Sequence, residues 1–263
     1  MIAVTSMELN TWMFAFLWPL LRVGAMFSVA PVFGARMVPV RVRLILALVL
    51  SWILAPAVAG DIPAIEPLSM TGLLVSIQQI VIGLAMGFTL QMVFAATVIA
   101  AQSMAMSMGL GFATAVDPQN GVQVPVIGQY YVVLTTLIFL ALNGHLLILQ
   151  IVVDSFGTLP VGITGLSREG LWTVVEWASR MFGGAVLLAL TTMTALMMIN
   201  LAFGVMSRAA PQLNIFGVGF PDMLAAGFVV ILFSLPTLTT HVTELLQDAF
   251  ETMGRLALFG GAG

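Results

Sequence analysis

The chain has 263 residues, with 8 basic and 11 acidic side chains, a net charge of -3 and only 7% charged residues. Apolar types make up 60% of it, and the mean hydropathy is +1.12. A water-soluble globule of this size is excluded: such domains carry roughly a quarter charged residues, because charged side chains must cover the surface. The chain reads as an integral membrane protein, or as a subunit buried in an apolar assembly.

Two absences narrow the chemistry. There is no cysteine, so disulfide frameworks, thiolate nucleophiles and Cys-ligated zinc or iron–sulfur centres are excluded. There is no lysine either, all cations being arginine, which removes the P-loop lysine, the Schiff-base lysine and the Ser-Lys dyad. With a net negative charge and no basic stripe, no nucleic-acid partner is expected.

In chain order, Met1 to Thr11 lacks the positive region of a signal peptide, and Glu8 is its only charge. The apolar stretch Trp12 to Ala35 exceeds the ~7–15 residues of a signal core, so it is expected to be mature structure. Pro19, Arg22 and Pro31 interrupt it. Arg36, Arg41 and Arg43 around Pro39 form a basic knot that marks a cytoplasmic loop by the positive-inside rule. Leu44 to Ala59 follows, then an acidic, proline-punctuated loop with Asp61, Pro63, Glu66 and Pro67.

From Pro67 to Val116 the chain carries no charge for 50 residues. Asp117 to Gly121 closes this region as a turn cluster. Val126 to Val153 is again uncharged, and as one helix it would run about 42 Å, beyond a hydrocarbon core of about 30 Å. Tilt, a kink or a hairpin must absorb the excess. A Gly-, Pro- and Thr-rich loop covers Gly157 to Ser167. Two more helical stretches, Leu171 to Ser207 and Met223 to Met253, flank a turn-rich connection at Pro211 to Pro221. These long, non-alternating runs predict helices, since barrel strands need only about 9–11 residues of alternating polarity.

Several features could carry function. Gly83-Leu-Ala-Met-Gly87 is a G-x-x-x-G that lets helix backbones approach closely, either within the chain or against a partner. Gln78, Gln79, Gln91, Gln102, Asn143, Gln150 and Asn200 stand in apolar surroundings. They serve as interhelical glue or as a polar conduit lining. Arg22, inside an apolar segment, is a functional candidate by its placement. His145 and His241 are too few and too isolated for a metal site, and His241 with Glu244 forms a one-turn pair. A serine hydrolase using His145 would lack a G-x-S-x-G elbow. Met104, Met106 and Met108 run into Gly109 and Gly111, then Phe112. Flexible thioethers before a glycine hinge and an aromatic suit a compliant seal, or an ordinary helix end.

Six segments resemble the FliR family, a core export-gate subunit of the flagellar type III secretion system. They are Trp18-Pro-Leu-Leu-Arg22 with Ala30-Pro-Val-Phe33, Gly111-Phe-Ala-Thr-Ala-Val-Asp-Pro118, Phe139-Leu-Ala-Leu-Asn-Gly-His145, Asp154-Ser-Phe-Gly-Thr-Leu-Pro160 and the long run from Arg208 through Phe220-Pro221. The injectisome counterpart family shares part of these motifs.

The resemblance implies an all-α, integral membrane fold of long kinked helices and hairpins. Residues 1–167 would form a FliP-like helical part and residues 168–263 a FliQ-like hairpin with its tip at 211–221. Partners would be FliP and FliQ in a hetero-oligomeric gate, FlhB, and exported flagellar proteins in transit, at the bacterial inner membrane in the flagellar basal body. No cofactor is implied and no catalysis; energy would come from the system's ATPase and the proton-motive force. By motif match, the loop that obstructs the closed channel would be Gly109 to Gly121, with Met106, Met108, Gly109, Gly111, Phe112 and Asp117 as plug residues. Gly83, Gly87, Asn143 and His145 are expected in helix packing. Arg208, Pro211, Gln212, Asn214, Phe216, Gly219 and Pro221 are expected on a partner-facing tip. The rival reading, a secondary transporter, requires paired acid and base groups at mid-membrane, and the sequence offers only isolated charges.

Overall fold

A computed structural model of the protein describes residues 6–35, 37–58, 65, 69–110, 114–116, 123–163, 165–209 and 215–258. The fold is all-α: α1 (Ser6–Val29), α2 (Val40–Val58), α3 (Met70–Ser107), α4 (Val126–Ala141), α5 (Gly144–Thr158), α6 (Arg168–Ala209) and α7 (Ile215–Leu258). Two three-residue strands, β1 (Thr114–Val116) and β2 (Gln123–Pro125), form a small antiparallel ribbon between α3 and α4. The chain divides into two units. One comprises Met1–Met92, Asn143–Ala178 and Gln247–Gly263, the other Val93–Leu142 and Ser179–Leu246. The long helices α3, α6 and α7 each contribute to both.

Helix lengths follow the uncharged runs. α3, α6 and α7 have 38, 42 and 44 residues, about 57–66 Å at about 1.5 Å per residue. Each contains a stretch apolar enough to cross a membrane. Ser69 caps α3 by accepting a hydrogen bond from Gly72 N at 3.0 Å, and Ser167 caps α6 in the same way through Gly170 N at 3.1 Å. The Val126–Val153 run is not one helix. It breaks at Asn143, and α4 and α5 meet at 63°, which resolves the excess length predicted for it. Pro19, expected to break the first segment, lies within a continuous α1. The connection read as Pro211 to Pro221 is shorter than expected, because α7 begins at Ile215 and already includes Pro221.

The first unit is organised around one helix crossing. Gln79, Gly83 and Gly87 recur every fourth residue on α3 and so share a face. They meet Arg22 and Met26 on α1 and Ala30 just past its end, which have the same spacing. A β-carbon at Gly83 would fall on the Arg22 carbonyl oxygen and lie 3.0 Å from Met26 N; one at Gly87 would lie 2.8 Å from Met26 O and 3.1 Å from Ala30 N. Glycine is required at both places because backbone meets backbone. α1 also packs on α2, which buries Ala47, Ser51, Leu54, Ala55 and Val58 and leaves Val40, Leu44, Ile45, Val49, Trp52 and Ile53 exposed.

At this crossing Arg22 reaches both α3 and the C-terminal end of α5. The side chain is fully buried. Its Nε donates to Gln79 Oε1 at 2.9 Å. Nη1 donates to Ser155 O and Ser155 Oγ, each at 3.0 Å, and Nη2 to Leu159 O at 2.8 Å. Its carbon Cζ lies 4.1 Å from the centre of the Phe156 ring. Among the described residues, no carboxylate takes part. The cation is met instead by carbonyls at the C-terminal end of α5, where helix dipoles leave partial negative charge, and by an aromatic face.

In the second unit, α3 meets α4 through Phe94 and Phe139, edge to face at 6.1 Å. α6 meets α7 where Leu245 fills the space beside Gly184, its Cδ2 2.7 Å from where a β-carbon would stand.

Two predictions follow from the crossing. Gly83→Ala should destabilise the chain by about 1–3 kcal/mol through overpacking, whereas Gly24→Ala, where a β-carbon would meet nothing within 4 Å, should be neutral or stabilising; thermal melts in detergent compare the pair. Arg22→Met should lower stability by about 3–5 kcal/mol, since several buried acceptors lose their donor. Arg22→Lys should fall between it and the parent in the same melts, because an ammonium keeps the charge but lacks the planar fork.

Candidate functional site

The residues expected to obstruct a channel begin in the last turn of α3, at Met106, and continue past its end. That end is a Schellman motif. Gly109 has φ 78, its N–H donates to Met106 O at 3.1 Å, and Leu110 N donates to Ala105 O at 2.8 Å. Only glycine adopts this left-handed backbone freely, so the sequence stops the helix here and turns the chain off its axis. Met108 is enclosed at 1% exposure while Met106 stands out at 64%. The two methionines therefore have different surroundings, although the sequence treats them alike. Gly111, Phe112 and Asp117 lie outside the described residues.

The excursion returns as a ribbon. Thr114 pairs with Pro125, Ala115 with Val124 and Val116 with Gln123, and β2 runs directly into α4. Within 109–121, Gly109 is thus fixed by the Schellman cap and Thr114–Val116 by strand pairing.

Among the other expected residues, Gly83 and Gly87 pack α3 on α1 within the chain itself. Asn143 is exposed and forms the bend between α4 and α5 with φ 55 and ψ 27, a backbone shape that asparagine tolerates better than most residues. Its carbonyl accepts from Leu146 N and Leu147 N at 2.9 and 3.0 Å, which starts α5. His145 follows at once; its Nδ1 is shielded from solvent and has no hydrogen-bond partner among the described residues.

Arg208 is exposed in the last turn of α6, where a cation suits the C-terminal dipole. Pro211, Gln212 and Asn214 lie outside the described residues. Phe216 and Gly219 fall in the first turns of α7, and Pro221 is exposed on the same helix.

The amides divide into two groups. Gln79 bonds Arg22 between α3 and α1, and Gln78 Nε2 donates to Ile163 O in the connection after α5, so the first joins two helices and the second a helix and a loop. Gln102, Gln150 and Asn200 are exposed. His241 Nδ1 and Glu244 Oε2 lie 3.2 Å apart on an exposed face of α7, as their spacing predicts. Among the described residues, no group of three His, Cys, Asp or Glu side chains could hold a metal ion.

Sequence reasoning flagged Arg22 by its placement but did not find what surrounds it. Nor did it find the seat of Met108 on α7. Each depends on contacts between residues more than fifty positions apart, which no local pattern encodes.

Comparison with known proteins covers almost the whole chain. Residues 13–249 match the family described as bacterial export proteins, family 1. The flagellar biosynthetic protein FliR of Escherichia coli (strain K12) is 38% identical over 254 residues, covering 96% of both chains. The protein of the same name from Pectobacterium carotovorum is 34% identical over 253 residues, with 96% of both chains covered. That from Bacillus subtilis (strain 168) is 29% identical over 250 residues, covering 94% of this chain and 96% of its own. With a match that runs nearly end to end across such distant bacteria, the chain belongs to the FliR family of bacterial export proteins.

Proposed function

We propose that the chain is a core subunit of the flagellar type III protein export gate, in which it helps form the channel that passes unfolded flagellar proteins across the inner membrane. The observation that carries this reading is the near-complete alignment with proteins named flagellar biosynthetic protein FliR. Those names also favour the flagellar role over the injectisome one. The helices fit a membrane setting: among the described residues three are long and apolar enough to cross a membrane, and a fourth span results if the bent α4–α5 pair crosses once.

In this reading FliP and FliQ are the neighbours within the gate and FlhB an associated one. The exposed apolar faces support extensive burial by protein or lipid: Leu187, Leu190, Met197 and Leu201 on α6, and Phe228, Leu232 and Phe233 on α7. Exposed apolar area on this scale marks association surfaces. Residues 1–167 would be the FliP-like part and residues 168–263 the FliQ-like hairpin. The α6–α7 connection forms its tip, with Arg208 beside it and Gln212 and Asn214 on it.

The 109–121 segment would obstruct the closed channel. Its support is the geometry of its roots, a capped helix end and a paired ribbon that hold a short insertion in place. Obstruction needs bulk and mobility rather than bond-making, so no catalytic role is assigned. Opening would displace this segment while the helices that carry it keep their packing.

Deleting Gly109 to Gly121 should make cells that overproduce the gate leaky to small ions, measured as conductance or as ion sensitivity of growth; unchanged conductance would remove the obstruction reading. Replacing Gln212 or Asn214 with alanine should weaken site-specific crosslinking to FlhB several-fold, and undiminished crosslinking would place the hairpin tip against another neighbour.

A further inference from the structure

We propose that Met108 and Gly227 form a latch that holds the root of the 109–121 segment on α7, an inference that rests on reading that segment as the channel obstruction. Met108 is the last residue before the left-handed Gly109, and its side chain is almost fully enclosed. A β-carbon at Gly227 would overlap Met108 Cε and lie 2.7 Å from Cγ and 2.8 Å from Sδ. The thioether therefore occupies the space that any side chain at 227 would need. Contact reaches back to Cγ, so swinging the terminal methyl aside would not clear it. Glycine at 227 is what leaves the seat open.

The chemistry of this seat suits a contact that opens and re-forms. It joins a flexible, unbranched thioether to bare helix backbone. Unseating Met108 strands no donor or acceptor of its own, so there is no desolvation penalty of the kind that locks a buried polar pair. The Schellman hydrogen bonds fix the direction in which the chain leaves α3. The Met108 seat ties that exit to α7, so a shift of α7 relative to α3 would be felt at the base of the obstructing segment.

The test uses the assembled gate in cells and two kinds of variant. Gly227→Ala should displace Met108 and raise the resting ion leak several-fold. Gly183→Ala on α6, where a β-carbon would meet nothing within 4 Å, should leave the leak unchanged. The second arm replaces both residues, Met108→Cys with Gly227→Cys, in a chain that has no other cysteine. Since the 227 β-carbon position lies 2.7 Å from Met108 Cγ, the two β-carbons are within disulfide reach, about 3.5–4.5 Å. Oxidation with copper phenanthroline should form the crosslink and abolish export of a flagellar substrate, and dithiothreitol should restore it. The Met108→Cys single variant should export equally with and without oxidant. Export at the parental rate by crosslinked gates overturns the latch, as does a Gly227→Ala leak no greater than that of Gly183→Ala. The deletion of Gly109 to Gly121, measured alongside, separates the two ideas. A leaky deletion with silent latch variants sinks the latch alone, and a tight deletion sinks the obstruction reading with it.

Discussion

A buried arginine with no carboxylate partner among the described residues sets the terms for the first unit. Bringing a guanidinium into an apolar interior carries a desolvation penalty of several kcal/mol, and here the attraction that offsets it comes from dipoles. Arg22 donates to Ser155 O and Leu159 O, carbonyls at the end of α5, and to Gln79 on α3. Ser155 O already accepts from Leu159 N at 2.9 Å, so Arg22 is a second donor there, while Leu159 O, just past the end of α5, gains a donor from the same side chain. Phe156 completes the surround with the negative face of its ring. The bond to Gln79 lies at the crossing where Gly83 lets α1 and α3 touch along their backbones. Close packing and the polar network thus meet at one crossing.

Glycine has two distinct uses in this chain. At Gly83, Gly87 and Gly227 it is the absent side chain that matters, because a neighbour's atoms stand where a β-carbon would be. At Gly109 it is the backbone conformation, a positive φ that ends α3 and redirects the chain. The second use turns the chain off the axis of α3, and the residue just before that turn, Met108, sits in the space that Gly227 leaves open.

The long helices explain why hydropathy alone gives an awkward topology. α3, α6 and α7 greatly exceed a bilayer's hydrocarbon thickness, yet none is broken by charge. Lipid cannot cover rods of that length unless they are steeply tilted. The open apolar faces on α2, α6 and α7 accord with subunits that bury one another. For α4 and α5 the solution is different: a left-handed asparagine bends the run by 63°.

The membrane character, the helical class and the places of most helices were legible in the sequence, because uncharged runs and proline–glycine clusters are local signals with a direct energetic meaning in lipid. The six motifs made the family recognisable for the same reason: they are contiguous. Three things were not legible. Pro19 is carried inside α1, and residues after Ile215 are helical, because tertiary packing can override a proline's local preference. The partners of Arg22 lie 57 to 137 positions away. Whether a methionine near Gly109 faces out, as Met106 does, or is seated on Gly227, as Met108 is, depends on where a distant helix passes. Composition and pattern determine which segments must leave water and what shape each takes alone. Which faces then meet is a property of the folded chain, because contact energies act between residues that the sequence keeps far apart.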